Sequence, residues 1–421
     1  MHVLIATIGS HGDLHPFLAV GRTLVARGHR VTVTTHPYFT PDIEAAGLTP
    51  SPIPTDASYE RLLREPDLFH RFRGPLVLVR EFGAALTPLI AHLRRTIAAQ
   101  PPDAMLVHLA ALGAGWVAEE AGVPHAIAAL SPLFWNDPDD PVPMLQLAPG
   151  AWRRRQARVA GRAAVALLRA ASDAWANRLR ARTGFPPGRD LLLGAARGGD
   201  LNLALWSGAF RPALAGDPPQ GAICGFPWYD GGRDAPLDPG LERFLAAGEA
   251  PVVFTLGSAA VHSARDFFGL AARACARLGR RGVLLVGRGL PAPADLPRGV
   301  IAVPWAPHSR LFPRALANVH HGGIGSTAQA LRAGRPALVI PHAYDQFNNA
   351  LRVTTLGAGR MLARHRTTEA RLAREIERCL GDAAIAASAA ELGGRLAAED
   401  GAAAAAGHLE RLAAAGRREA A

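Results

Sequence analysis

The chain has 421 residues, 49% of them apolar and 19% charged, which fits a globular enzyme rather than a disordered chain and exceeds what one ordinary core needs. Its formal net charge is +11 and all 46 basic residues are arginine. Lysine chemistry is thereby excluded (no Schiff base, no Walker loop ending in Gly-Lys), and any diphosphate must be held by backbone amides, His, Ser, Thr or Arg.

In chain order, a buried strand over His2–Thr7 leads through a loop Ile8-Gly9-Ser10-His11-Gly12-Asp13 to a helix entered near Pro16. Leu18, Val20, Leu24 and Val25 give that helix an apolar face, and Gly28 suits its C′ position. The β-branched strand Arg30–Thr35 follows, so the opening is a βαβ unit, which forms a right-handed crossover onto a parallel sheet. The pattern recurs at Ala104–His108, at a helix over Gly113–Ala121, and at His125–Leu130.

From Trp152 to Thr183 the chain is helical and basic, carrying Arg153, Arg154, Arg155, Arg158, Arg162, Arg169, Arg178 and Arg180. Val159, Val165, Leu167, Leu168 and Trp175 are interleaved, which suits either a core-facing helix with a solvated Arg side or peripheral contact with an anionic membrane face. Breakers between Arg211 and Pro239, Gly231 and Gly232 among them, mark a linker at about 211–240. A second cycle then begins: strand Val252–Leu256, loop Gly257-Ser258, helix Arg265–Leu278, strands Val283–Val286 and Val300–Val303, a short helix after Pro307, strand Ala317–His320, helix Ser326–Ala333 and strand Ala337–Ile340. Two successive doubly wound α/β halves are implied, residues 1–228 and 229–421, with an Ala-rich helical tail from Ala383.

Cys224, Cys275 and Cys379 show no paired spacing and read as plain thiols of a reducing compartment. The first strand leaves no room for a signal peptide, and no apolar run approaches the ~20 residues of a membrane span, so a cytoplasmic protein is expected, with the inner membrane face as a peripheral site. Charge alone argues no nucleic-acid role, since aromatic and basic residues are not interleaved. Neither a metal site nor a cofactor is expected.

The chemistry concentrates between Val303 and Ala350. A strand ends at His320, and Gly322, Gly323 and Gly325 let the backbone approach a ligand before a helix begins near Ser326. Free amides and the positive end of that helix make an anion site, to which His320 can also donate. Fixed donors there would stabilise a departing nucleoside diphosphate more than the bound donor. A turn that merely needs glycine is the plain alternative. Trp305, within Trp305-Ala-Pro-His308, offers a face on which a pyrimidine can stack, and Asp345 with Gln346 offers several hydrogen-bonding positions to sugar hydroxyls.

With Gly9-Ser10-His11-Gly12-Asp13, Gly225-Phe226-Pro227 and Phe254-Thr255-Leu256-Gly257-Ser258, these motifs resemble family-one, GT-B-fold glycosyltransferases over almost the whole length. The likeness is greatest to the rhamnolipid rhamnosyltransferase and the antibiotic glycosyltransferases. The resemblance implies two Rossmann-like domains facing a central cleft, acceptor in the first and nucleotide-sugar in the second. It implies inverting, metal-independent transfer, with Trp305 on the base, His308 and Gly12 at the same site, and Ser258, His320 and the glycine loop through Ser326 at the phosphates. Asp345 and Gln346 would meet the sugar. Inversion needs a base for the acceptor hydroxyl, and Asp13 or His11 in the first loop would supply it. Plant-type relatives carry His where Asp13 stands, and their partner Asp is replaced here by Val107-His108-Leu109; His108 either orients Asp13 or is a core residue.

The function expected is transfer of a hexose or deoxyhexose from a UDP- or dTDP-sugar to a hydroxyl of a lipophilic acceptor, such as a hydroxy fatty acyl, polyketide or sterol. Phe69, Phe72, Phe82, Leu133, Phe134 and Trp135 suit an apolar acceptor or a core. The alternatives are a nucleotide-sugar epimerase or hydrolase on the same fold and a non-catalytic sugar-nucleotide binder. A nicotinamide oxidoreductase is disfavoured, because Gly9 and Gly12 lack the Gly-x-Gly-x-x-Gly spacing.

Overall fold

The computed structural model describes residues 1–55, 59–70, 73–135, 140, 151–192, 194–231 and 236–419, with backbone alone for 151–162, 164, 165 and 417–419. Phe72, Gly232 and the side chains of Val159, Val165, Arg153, Arg154, Arg155, Arg158 and Arg162 thus lie outside the described residues.

Strands β1 (His2–Ala6), β2 (Arg30–Thr35), β3 (Thr49–Pro52), β4 (Ala104–His108), β5 (His125–Ala129), β6 (Leu201–Ala204) and β7 (Gly221–Ile223) form a parallel sheet in the order β3-β2-β1-β4-β5-β6-β7. Strands β8 (Val252–Thr255), β9 (Gly282–Leu285), β10 (Val300–Val303), β11 (Ala317–His320), β12 (Ala337–Val339) and β13 (Gly359–Met361) form another, ordered β10-β9-β8-β11-β12-β13. Both sheets are covered on both faces, which is why their central strands are unbroken apolar runs such as Val3-Leu4-Ile5-Ala6 and Val252-Val253-Phe254. Strand order reverses between β1 and β4 and again between β8 and β11. Crevices for ligands open at the carboxyl ends of such reversals. The Gly9–Asp13 motif follows β1 and His108 ends β4, while Gly257-Ser258 follows β8 and the glycine loop follows β11.

The first sheet is flanked by α1 (His11–Ala26), α2 (Thr40–Ala45), α3 (Tyr59–Leu63), α4 (Gly74–Ala99), α5 (Leu112–Glu120) and α6 (Ala151–Arg182). The second carries α7 (Pro239–Ala246), α8 (Phe267–Leu278), α9 (His308–Leu311), α10 (Ile324–Arg332), α11 (Gln346–Thr355), α12 (Glu369–Gly381) and α13 (Ala383–Ala397). The last helix, α14 (Gly401–Glu419), returns to the first domain: Ala402, Ala405, Ala406 and Leu409 share a core with Phe17 and Leu24 of α1. Where the chain crosses back, the Trp228 indole donates to Glu399 O (3.1 Å) and Ser207 Oγ to Glu399 Oε1 (2.6 Å). Gly401 lies against the backbone of Gly225 and Phe226, so both interdomain crossings run side by side.

Several expectations need correction. The first helix starts at His11, not near Pro16, because Ser10 caps it; Pro16 lies inside it, and Val25 is exposed rather than on its buried face. Helices α8 and α10 begin at Phe267 and Ile324 rather than Arg265 and Ser326. Helix α4, unforeseen, is long and apolar enough by composition to cross a membrane. Its Leu86, Leu89, Ile90, Leu93 and Ile97 are buried in the first domain's core instead. Trp135 is core, edge-on to Trp206 at 4.9 Å between ring centroids, whereas Phe134 is exposed.

Candidate active site

On the second domain, β11 delivers His320 fully buried, and the chain turns through His321, Gly322 and Gly323 into α10. The amide of Thr327 is already bonded to Gly323 O (2.9 Å), which leaves the amides of Ile324, Gly325 and Ser326 as the free donors of the first turn. His320 Nδ1 accepts the Gly322 N–H at 3.1 Å, so its proton sits on Nε2, and that buried atom has no hydrogen-bond partner among the described residues. Burial, then His308, pushes the His320 pKa down to about 3, so it acts as a neutral donor. A reason for glycine at 257 also emerges. Its φ is +68°, and a Cβ there would stand 2.5 Å from Cε1 of His321, whose ring wedges between Gly257 and Gly323.

Between the domains lies a cavity of about 360 Å3. Of the residues singled out from sequence, it brings together His11, Gly12, Ser258, Trp305, His308, Gly325 and Ser326. It does not bring Asp13, His320, Gly322, Gly323, Asp345 or Gln346 to that wall; these lie beneath or beside it. Trp305 is half-buried, with the Arg288 guanidinium 4.8 Å from its ring centroid, so one face of the indole is already covered. His308 Nδ1 donates to Ala306 O (3.2 Å), and burial lowers its pKa.

Asp13 occupies the third position of α1 and closes a capping box: its Oδ2 accepts from Ser10 N (2.7 Å) and Ser10 Oγ (2.9 Å). Its other oxygen faces His108 Nε2 at 4.0 Å. His108 is buried, and its Nδ1 is 2.9 Å from Ile8 O, so it is a satisfied core histidine that also faces Asp13. Gly9 (φ +146°) is obligatory here, since a Cβ would lie 2.3 Å from Asp13 Oδ2.

Across from it, Asp345 precedes α11, and its Oδ2 accepts from Asn349 Nδ2 at 2.8 Å. Burial raises its pKa to about 6; the Asn349 hydrogen bond opposes this and the Asp13 carboxylate adds to it. Gln346 is less available than expected. Its Oε1 accepts from His342 N (2.8 Å) and Ala343 N (3.1 Å), so only its amide nitrogen remains for a ligand.

Sequence reasoning missed the partners of this wall. His11 Nε2 lies 3.3 Å from Asp42 Oδ2, and that contact holds the Asp42 pKa below its usual value. His15, one turn beyond His11, is pushed to about 4, by burial first and His11 second. Asp230 Oδ2 accepts from Ser309 N at 3.0 Å, tying the linker to α9. The signal for His15 was its i+4 spacing from His11, readable only once α1 starts at His11; Asp42 carried none.

Comparison with known proteins gives this geometry its context. Residues 3–134 match the glycosyltransferase family 28 N-terminal domain, and residues 283–412 match the erythromycin biosynthesis protein CIII-like C-terminal domain. The chain is 32% identical over 417 residues to O-mycaminosyltylonolide 6-deoxyallosyltransferase of Streptomyces fradiae, covering 95% of each. It belongs to the GT-B natural-product glycosyltransferases. This glycosyltransferase shares its fold with the glycotransferase of kitacinnamycin (TM-score 0.72, 24% identity, 98% of both chains). The fold is also that of the glycosyltransferase VinC, solved in complex with DTDP (TM-score 0.70, 21% identity, 99% of this chain and 100% of that one). As a family member it is an inverting, metal-independent enzyme that takes a nucleotide-sugar donor.

Proposed function

We propose that this glycosyltransferase moves a deoxyhexose from a dTDP-sugar to a hydroxyl of a lipophilic, polyketide-like acceptor. The first domain, residues 1–228, would hold the acceptor and residues 229–421 the donor, with α14 serving as a strap on the first domain. The carrying observation is the buried, unpartnered Nε2 of His320 beside the free amides of α10, a donor set matched to a diphosphate. A relative named as the O-mycaminosyltylonolide 6-deoxyallosyltransferase supports the sugar and acceptor classes, and a fold relative solved with DTDP supports the nucleotide.

In this reading the base stacks on the uncovered face of Trp305, with Gly12, His308 and Ser258 around the nucleotide. Ile324, Gly325, Ser326 and His320 hold the diphosphate, and Asp345 with the Gln346 amide nitrogen meets the sugar. Asp13 takes the acceptor proton as the hydroxyl attacks opposite the leaving group. His108 keeps the Asp13 carboxylate facing the cleft. The cell location supported by this reading is the cytoplasm, and contact of the basic helix 152–183 with the inner membrane face remains part of it. Following dTDP and UDP release from the corresponding sugars, with and without a macrolide aglycone, tests the proposal. Acceptor-dependent release from the dTDP-sugar is expected; release that ignores the acceptor would instead mark a hydrolase.

A second reading of the base rests on one observation: His11 lines the cleft and is paired with Asp42, whereas Asp13 is partly committed to its cap.

A further inference from the structure

A second cavity, of about 380 Å3, opens in the first domain and shares no lining residue with the cleft. Its walls are the end of β4, one side of α5 and, beyond α6, residues 188–191 and 194–198. Leu109, Leu112, Trp116 and Ile127 give it an apolar side; of its three arginines, Arg189 and Arg197 are exposed and Arg180, near the end of α6, is buried. That side chain is only 8% exposed. Its Nε donates to Pro186 O (2.6 Å), and the guanidinium carbon sits 4.8 Å from the Trp116 ring centroid and 5.5 Å from that of Phe185. Among the described residues its two terminal nitrogens have no hydrogen-bond partner, and no carboxylate lies within ion-pair distance. The carboxylates on the wall are Glu119, exposed on α5, and Asp190, which is paired with Arg169 at 2.8 Å.

Glu119 acts on this guanidinium from its exposed place on α5, beyond ion-pair distance, and the rigid fork held between two aromatic rings keeps its terminal nitrogens open to a bidentate anion. The volume falls in the range of small-molecule sites, roughly 300–1,000 Å3. We propose that this cavity binds a small amphiphilic monoanion, its carboxylate on Arg180 and its hydrocarbon part against Leu109, Leu112, Trp116 and Ile127. The inner wall is His108, whose Nε2 lies 4.0 Å from Asp13, so a guest sits one side chain removed from the cleft.

The test is calorimetric titration of the full chain with octanoate and, separately, with octan-1-ol. Saturable octanoate binding, about tenfold tighter than the alcohol, is expected, with a further loss of about tenfold in Arg180→Gln. The dTDP affinity of that variant should be unchanged, which shows that it is folded. Absence of saturable binding, equal affinity for acid and alcohol, or undiminished octanoate binding by folded Arg180→Gln overturns the proposal. If the variant does not fold, the acid-against-alcohol contrast on the wild type decides.

Discussion

Ser131 of the first domain donates its hydroxyl to Asn349 Oδ1 of the second at 3.2 Å, while the Asn349 amide nitrogen reaches Gly322 O (2.9 Å) and Asp345 Oδ2 (2.8 Å). One fully buried amide therefore ties together both domains, the glycine loop and the Asp345 carboxyl. Replacing it by Ala strands these groups, each at a cost of about 1–3 kcal/mol. Asn349→Ala should lower kcat/KM by roughly ten- to a hundredfold and move the Asp345 pKa further up from about 6. Steady-state kinetics across pH checks both; unaltered kinetics would count against the role of this hub.

Asp13→Asn keeps an oxygen for the Ser10 cap but removes the proposed base. A fall in kcat of about 10²–10⁴ with unchanged dTDP binding is expected. Asp13→Ala should show the same kinetic loss plus about 0.5–2 kcal/mol of destabilisation from the broken cap. Full activity in Asp13→Asn would transfer the base role elsewhere.

The His11 and Asp42 pair separates the two readings of the base. If Asp13 is the base, His11→Ala and Asp42→Asn each reduce turnover by less than about tenfold, below the 10²–10⁴ typical of a lost acid–base group. A loss of the full magnitude in His11→Ala, with Asp13→Asn nearly normal, would favour the second reading. Single-turnover assays of the three variants decide it.

Acidification should destabilise the protein. His15, His320 and His342 titrate near 4, 3 and 4 in the fold against 6.5 ordinarily, each lowered first by burial. Their contribution is present above 6.5 and lost as pH falls toward those values. Asp345 works the other way: raised from 3.8 to about 6, its contribution is present below 3.8 and lost as pH rises through 6. Three imidazoles against one carboxyl leave a net loss between pH 6.5 and 4. Tm should fall across that window, and Asp345→Asn should steepen the fall; scanning calorimetry over the range tests the sign.

Asp140 sits between two buried guanidiniums, Arg352 at 2.5 Å from the second domain and Arg211 at 3.3 Å from the first. Asp140→Ala leaves both facing each other without that carboxylate. A destabilisation of about 3–5 kcal/mol is expected in urea unfolding, and a loss under 1 kcal/mol would show that the network relaxes.

The donor half was the more legible because its parts are contiguous. Strand, glycine turn and helix follow one another from Ala317 to Arg332, and a local pattern suffices to read them. On the acceptor side the pairs are made by the sheet. His11 meets Asp42 only because β2 lies beside β1 and brings the helix that follows it to the start of α1, a relation invisible in spacing. Helix α1 was misjudged because Pro16 looks like a helix start, although Ser10-His-Gly-Asp13 already spells a capping box. Edge strand β3 was missed since prolines at 50 and 52 argue against pairing, yet an edge tolerates them.

The adjacent passages at Gly225-Phe226 and Glu399–Gly401 make the joint between the lobes a double-pinned one. A single connector would let the halves swivel and drift in any direction. Two connectors lying at the same spot, together with the Ser131–Asn349 and Asp140–Arg352 contacts elsewhere, fasten the halves at more than one place.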